Sequence, residues 1–366
     1  MSSDHTLNPA SGWLPPGRPF VISGPCAAET EFQTLETARR LRALGGIHLF
    51  RAGVWKPRTR PGHYEGAGEE GLAWLLRVRE ETGLPVTTEI ATTAHVEACL
   101  RNGLDMLWVG ARTTSSPFAV QEIAEALRGV DVPVFVKNPP SPDLELWIGA
   151  LERLDRAGVK RLGAVHRGFS VFAKGPFRNA PTWEIAIELK TRVPGLPLLC
   201  DPSHICGNRE LIALVAQKAL DLEMDGLMIE SHVDPDAAWS DAKQQLTPAA
   251  LGALLAGLVV RSRSSEDKGF EERLDELRRL IDSIDDEIIH KLAARMAVIE
   301  KIGQFKREHN VTILQVERWE KIIKSRSSAA SSIGLREDFV YDLLRLMHRE
   351  AIQLQERVMN QTKIDV

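Results

Sequence analysis

Cysteine is scarce in this chain. The four residues Cys26, Cys99, Cys200 and Cys206 are too few and too scattered for the disulfide framework of a secreted domain, so free or metal-bound thiols in a reducing cytoplasm are expected. Charge of one sign is lacking as well: 46 basic against 50 acidic residues leave a net −4, which argues against a nucleic-acid or anionic-membrane surface. No long apolar run occurs. The longest, Pro248–Val260, has 13 residues and is too short to span a bilayer. The opening MSSDHTLNPASGW has neither a basic nor an apolar region, so no signal peptide is read.

Proline and glycine are missing from only one part of the chain. All 20 prolines precede the stretch Arg261–Lys268 (RSRSSEDK), and only three of 27 glycines follow it. From Glu266 onward 38 of 101 residues are charged, against 58 in the first 265. A proline-free, charge-rich tail reads as helical, and the serine- and arginine-containing stretch before it as a linker. The expected division is 1–262, a linker at 263–269, and 270–366.

In the first part, short apolar runs beginning near Val21, His48, Val86, Met106, Val134, Leu162, Leu198 and Leu227 alternate with amphipathic stretches. Eight such pairs at this spacing predict an α/β fold, a closed (β/α)8 (TIM) barrel, rather than an open sheet, and no glycine-rich dinucleotide fingerprint follows the first strand. In the tail, Leu274, Leu277, Ile281, Ile284, Ile288, Leu292, Met296, Ile299, Ile302 and Phe305 recur every three or four residues. They predict one very long helix, followed by shorter ones over 315–327 and 336–359. A helix longer than its own domain is wide needs a partner, so a homodimer through the tail is expected.

Barrel enzymes carry their chemistry on the loops after the strands. Those loops read GPCAAE, FRAGVWKPRT, TTE, GARTTSS, VKN, VHRGF, CDPSH and IESH. They set six cations, Arg51, Lys56, Arg58, Arg112, Lys137 and Arg167, in one ring of an acidic chain. Arginine forks and lysine point charges converging from several loops suit phosphate and carboxylate groups. Cys26, His204, Glu230 and Asp241 (in SDAKQQ) are metal-ligand types at successive strand ends. Such a mixed S/N/O/O set selects no one ion, and Mn²⁺, Fe²⁺, Co²⁺ or Zn²⁺ all fit. Cys206 is a rival to Cys26, and Cys99 and Cys200 read as core.

Taken together, GPCAAE, KPRT, GARTT, VKN, DPSH and IESH…SDAKQQL resemble the 3-deoxy-D-arabino-heptulosonate 7-phosphate (DAHP) synthases of type I, β-like subgroup, over nearly all of residues 18–262. The resemblance implies that Cys26, His204, Glu230 and Asp241 hold a divalent metal. It implies that Arg51, Lys56, Arg112, Lys137 and Arg167 grip phosphoenolpyruvate, and that Arg58 and Thr59 bind the phosphate of erythrose 4-phosphate. KPRT marks the four-carbon aldose phosphate, where eight-carbon synthases carry a different loop. The N-terminal regulatory domain common in the subgroup is expected to be missing, since only about 20 residues precede the first strand. The chemistry implied is an aldol-type condensation with Lys56 protonating the new alkoxide. A metal-free Schiff-base aldolase would not need the four ligand-type residues together.

The tail, through ELRRLIDSIDDEIIHKLAAR, GQFK, ILQVERW and MHREAIQLQ, is similar to the all-helical, intertwined-dimer chorismate mutases over about 270–358. Matching the motif assigns Arg278, Arg295, Lys306, Arg318 and Gln355 to the ligand site. Arg295 and Lys306 lie 11 residues apart on one helix face, about 16 Å, close enough to hold one small dianion. Arg278, 17 residues before Arg295, is about 25 Å away and would serve the partner protomer's ligand. Gln315 and Trp319 stand where acidic residues are often found, and Ala351 where a serine is common, so ligand binding is a firmer expectation than rate. The combined expectation is a cytoplasmic bifunctional enzyme, synthase and mutase, with prephenate or chorismate inhibiting the synthase through the tail. The alternative is a monofunctional barrel with a non-catalytic dimerising or effector-binding tail.

Overall fold

The computed structural model describes residues 7, 12–15, 17, 19–57, 62, 64–172, 175–262 and 264–360, without the side chains of 327 and 328. The chain divides into two compact units, 1–263 and 264–366.

In the first unit the strands β1 (Phe20–Gly24), β2 (Leu49–Arg51), β3 (Val86–Ile90), β4 (Met106–Val109), β5 (Val134–Lys137), β6 (Leu162–His166), β7 (Leu198–Cys200) and β8 (Gly226–Glu230) run in chain order around a closed barrel. All neighbours are parallel, and β1 closes on β8 with Phe20 opposite Gly226 and Gly24 opposite Glu230. Each strand begins within one residue of its expected start. The strands are legible as continuous apolar runs because a parallel barrel buries both faces of its sheet. Side chains alternate: Phe20, Ile22, Leu49, Met106, Trp108, Phe135, Val165, Leu199 and Met228 fill the lumen. Their neighbours, such as Val21, Phe50, Leu107 and Val134, pack on the helices. Trp13 covers the lumen, its Nε1 donating to Leu162 O at 3.0 Å and its ring 5.5 Å from Phe135.

The helices of this unit are α1 (Glu31–Leu44), α2 (Glu69–Thr82), α3 (Thr93–Arg101), α4 (Ala111–Thr114), α5 (Pro117–Ala126), α6 (Leu144–Arg156), α7 (Trp183–Arg192), α8 (Pro202–Cys206), α9 (Ile212–Asp221) and α10 (Pro248–Gly257). Several start on side-chain caps. Thr30, Thr92, Ser116, Asp143 and Asp201 each accept a hydrogen bond from the backbone N–H three residues on. Proline at the first turn of α5 and α8 fits the same logic. The short α4 and α8 were not expected from periodicity, since a single turn has none. They lie directly after β4 and β7, where they set Arg112 and His204.

The second unit is α11 (Lys268–Glu308), α12 (Val316–Ser332) and α13 (Glu337–Asn360). Asp267 caps α11, accepting from the N–H groups of Gly269 and Phe270, so the helix starts inside the stretch read as linker. Its 41 residues span about 61 Å. Along α11 only Gly303 is buried among the described residues, and its bare Cα lets Gln355 Cγ of α13 approach to 3.2 Å of where a Cβ would stand. Leu277, Leu280, Ile281, Ile284, Ile288 and Ile289 remain 43–62% exposed and form an apolar stripe along α11.

Candidate active site

The polar residues at the barrel's C-terminal rim line a cavity of about 730 Å³. Lys56, Glu89, Arg112, Lys137, Arg167, Arg178, Asn179, His204 and Asp241 face it, with Trp239 and Ser240 at one side. Five of the sequence-predicted residues that should bind substrate or metal are therefore brought together with Lys56 in one space. Arg51, Cys26 and Glu230 lie beneath it, each at most 1% exposed. Arg58 and Thr59 lie outside the described residues.

Gly24 makes the first loop possible. Its φ of 151° belongs to glycine, and a Cβ there would meet Arg51 O at 2.0 Å. The chain then passes Cys26 directly over Arg51, whose Nη2 donates to Cys26 O at 3.3 Å and pairs with Glu230 Oε1 at 3.3 Å. The other two guanidinium nitrogens of Arg51, Nε and Nη1, are buried without a hydrogen-bond partner. Both Arg51 and Lys137 stand over the face of Trp108, 4.9 and 5.8 Å from its centroid. Buried donors left open beneath an anion-sized cavity are a site prepared for a ligand's oxygens.

Electrostatics point the same way. Burial, reinforced by Arg178 and Arg112 against the pull of Asp201, brings the Arg167 guanidinium down to about 10. A cation pressed that far is one whose anionic partner is missing. Burial also opposes the Lys56 charge, but Cys26, Glu89 and Glu230 outweigh it and hold the ammonium above the usual lysine range. Lys56 Nζ donates to Cys26 O and contacts Cys26 Sγ, both at 3.0 Å.

The four metal-ligand types form two close pairs: Cys26 Sγ is 3.3 Å from Asp241 Oδ2, and His204 Nε2 is 3.7 Å from Glu230 Oε1. Among the described residues no three His, Cys, Asp or Glu side chains stand clustered around one point. Cations occupy the carboxylates instead, Arg178 on Asp241 at 2.8 Å and Arg51 on Glu230. The donor set still fits a divalent ion. Glu230 Oε1 is buried without a hydrogen bond. Burial and Glu230 push the Cys26 thiol up to about 12, a strained setting for a thiolate unless a cation joins it. Cys206 is buried on α8, raised to about 12 by burial, and does not line the cavity. Cys99 and Cys200 are core residues.

Three groups escaped the sequence reading as site residues. Arg178 and Asn179 come from the irregular segment between β6 and α7, where no periodicity flags them. Arg178 holds Asp241 and Gln244, while Asn179 accepts from Arg167 at 3.0 Å and donates to His204 O at 2.6 Å. Glu29, in GPCAAE, accepts from the N–H groups of Trp239 and Ser240 at 2.8 and 3.2 Å, pinning the loop that presents Asp241. Asp241 itself sits at φ 47°, a left-handed conformation kept only where surroundings enforce it.

In the helical unit, Arg295 Nη1 reaches Met347 O at 3.4 Å and Lys306 Nζ donates to Ile313 O at 2.5 Å. Gln355 is buried with its Oε1 unpartnered. Arg278 is exposed and pairs with Asp275 at 3.2 Å, and Arg318 is exposed on α12. Trp319 stacks on His348, centroids 4.0 Å apart. Within one chain, then, Arg295 and Lys306 lie three turns apart on α11 and Gln355 faces Gly303 from α13, while Arg278 is exposed nearer the start of α11.

Fold and cavity define a class: a (β/α)8 barrel whose C-terminal mouth gathers cations and metal-donor groups for anionic ligands. The chain belongs to the DAHP synthetase I family, whose model matches residues 16–260, and its residues 277–356 match chorismate mutase type II. Phospho-2-dehydro-3-deoxyheptonate aldolase of Thermotoga maritima is 30% identical over 227 residues, 62% of this chain and 64% of that protein. A 2-dehydro-3-deoxyphosphooctonate aldolase of Nitratidesulfovibrio vulgaris is 28% identical over 273 residues, 66% of this chain and 91% of that one. A crystal structure of the Thermotoga maritima DAHP synthase superposes with a TM-score of 0.59 at 27% identity, covering 65% of this chain and 67% of that one. Both expected families are thus present, and no described helix is long and apolar enough to cross a membrane.

Proposed function

We propose that the barrel condenses phosphoenolpyruvate with erythrose 4-phosphate to give DAHP and phosphate, and that the helical unit converts chorismate to prephenate. The observation that carries the first half is the open, buried guanidinium of Arg51 beneath a cavity faced by Lys56, Arg112, Lys137, Arg167 and Arg178. Arg51 and Lys137 hold the phosphoenolpyruvate anion, with Arg167 and Arg112 completing the cradle. These fixed charges pre-organise the site for negative charge that develops as carbon 3 attacks the aldehyde. Lys56, kept as an ammonium, delivers its proton to the new alkoxide. Water adds at carbon 2 and the C–O bond to phosphate breaks, so the ring also accepts the leaving group. Cys26, His204, Glu230 and Asp241 would hold a divalent ion, Mn²⁺ foremost, which supplies Lewis-acid polarisation of the aldehyde oxygen.

The eight-carbon relatives raise a second acceptor, a five-carbon aldose phosphate. KPRT, with Arg58 and Thr59 on the aldose phosphate, favours the four-carbon one. Phosphate release from phosphoenolpyruvate with each aldose phosphate in turn decides. Preference for the five-carbon sugar overturns the reading.

Chorismate rearranges in one pericyclic step, needing only the compact conformer and charge stabilisation at the ether oxygen, which suits Lys306 with Gln355. Arg295 and Arg318 take the carboxylates, and Arg278 reaches the site of a second copy. The exposed stripe of α11 supports that homodimer. Feedback belongs to the same reading: prephenate or chorismate in the helical unit lowers synthase activity by favouring one arrangement of the chain, a coupling of about 1–3 kcal/mol. Titrating prephenate into the intact chain and into residues 1–265 tests it, and equal inhibition of both would place the effect at the barrel. Gln315 and the Trp319–His348 stack favour one variation, a tail that binds these ligands but turns over slowly. Direct loss of chorismate with the intact chain measures that rate.

A further inference from the structure

Asp201, the first residue of DPSH, carries no role in the reading above. It is fully buried at the end of β7, its N–H donating to His166 O at 2.7 Å. Its two oxygens divide their work. Oδ1 accepts from His204 N at 3.0 Å, the cap of α8. Oδ2 accepts from Lys137 Nζ at 2.7 Å and lies 2.8 Å from His204 Nδ1, which is buried and, with Oδ2 held by the lysine, makes no hydrogen bond of its own. One carboxylate oxygen therefore faces both a substrate-gripping cation and a metal-ligand histidine, while His204 Nε2 turns toward Glu230.

We propose that Asp201 is a positioning residue that fixes His204 with Nδ1 as the protonated nitrogen and Nε2 free for the ion, and that it couples metal binding to phosphoenolpyruvate binding through the oxygen shared with Lys137. The inference rests on the proposed function of the barrel. A ligating histidine is oriented by what its other nitrogen meets, and loss of such a partner costs about 10–100-fold in metal affinity. The coupling follows from sharing. When an anion takes up part of the Lys137 charge, Oδ2 is released toward His204, and the imidazole becomes the better donor. Reciprocity then requires the ion to tighten phosphoenolpyruvate by the same factor.

Asp201→Asn separates these functions, because an amide has one acceptor where the carboxylate uses two. If its oxygen faces Lys137 and His204, its NH₂ opposes the His204 N–H, and the reverse orientation abandons the lysine and imidazole. Co²⁺ binding to the whole chain, read from its thiolate charge-transfer band, is measured with and without phosphoenolpyruvate. The wild type should bind Co²⁺ at least about fivefold more tightly with phosphoenolpyruvate present. In Asp201→Asn the baseline affinity should fall about 10–100-fold and the enhancement should vanish. Unchanged affinity and enhancement in a folded variant overturn the proposal. The ¹⁵N shifts of His204 in the metal-free wild type, read at a pH where the ring carries a single proton, need no variant: that proton on Nδ1 supports it, on Nε2 overturns it. Product formation by the wild type is scored separately, so a barrel that binds Co²⁺ with this coupling yet makes no DAHP fails the functional reading alone.

Discussion

Removing Arg51 should unfold part of the stability margin and empty the site at once, and a second substitution should separate the two effects. Arg51 and Glu230 are both buried at 1% exposure or less and pair at 3.3 Å. Arg51→Met leaves the Glu230 carboxylate without its cation in a dry interior. Breaking a buried pair by one partner costs about 3–5 kcal/mol, a large share of an ordinary domain's stability. Adding Glu230→Gln removes the orphaned charge, and its side-chain oxygen still accepts from Gln244 Nε2, now 2.8 Å from Glu230. The double variant should therefore recover about 2 kcal/mol or more. Phosphoenolpyruvate binding should not recover, since the two open guanidinium nitrogens are gone. Two charge-assisted hydrogen bonds lost at about 1.5 kcal/mol each weaken Kd by more than about a hundredfold. Urea unfolding followed by tryptophan fluorescence gives the first quantity and calorimetric titration the second. A single variant that loses less than about 1 kcal/mol, or a double variant that regains ligand affinity, refutes the reasoning.

His166 supplies a pH test: burial among Trp147, Phe169 and Trp183 lowers it to about 3 from its usual 6.5. Its contribution to stability is complete above 6.5 and is lost as pH falls toward 3, because only the unfolded chain takes up the proton in that window. Between pH 7 and 5 the loss is about 2 kcal/mol, and wild type minus His166→Gln should show that difference in urea unfolding; parallel pH profiles would count against it. Mixing Arg278→Ala chains with Arg295→Ala chains should restore mutase activity that neither has alone, and heterodimers without activity would dismiss the cross-protomer role of Arg278. Trp319→Glu should raise the mutase kcat about tenfold, the worth of one charge-assisted hydrogen bond. An unchanged or lower initial rate of chorismate loss would show that the Trp319–His348 stack is not what limits turnover.

The barrel was legible because its eight strands are buried on both faces, and a run such as VFVK or LGAVH has no other good reading beside helical stretches. The cationic ring was legible from strand ends, since each of Arg51, Lys137 and Arg167 sits on or just after the last residue of a strand. Less regular segments hid the rest. Arg178 and Asn179 are fixed by contacts to Asp241 and His204 that lie more than 20 residues away. Glu29 reads as an ordinary helix-approach acid until the distant N–H groups of Trp239 and Ser240 are seen on it. Asp201 was visible in the motif, but the sharing of one oxygen between Lys137 and His204 is a fact of three dimensions. In the tail, periodicity revealed the helices and their apolar stripe. It could not tell that Gly303 exists to seat Gln355.

The central claim is that the barrel joins phosphoenolpyruvate to erythrose 4-phosphate at a site where Cys26, His204, Glu230 and Asp241 hold a divalent ion. The most direct test is phosphate release from the two substrates, measured with the intact chain in chelator, after Mn²⁺ is restored, and with Cys26→Ala. No release is expected in chelator, recovery with Mn²⁺, and none from Cys26→Ala under any condition, while chorismate conversion continues in all three. Full release in chelator, or metal-dependent release retained by Cys26→Ala, would contradict it.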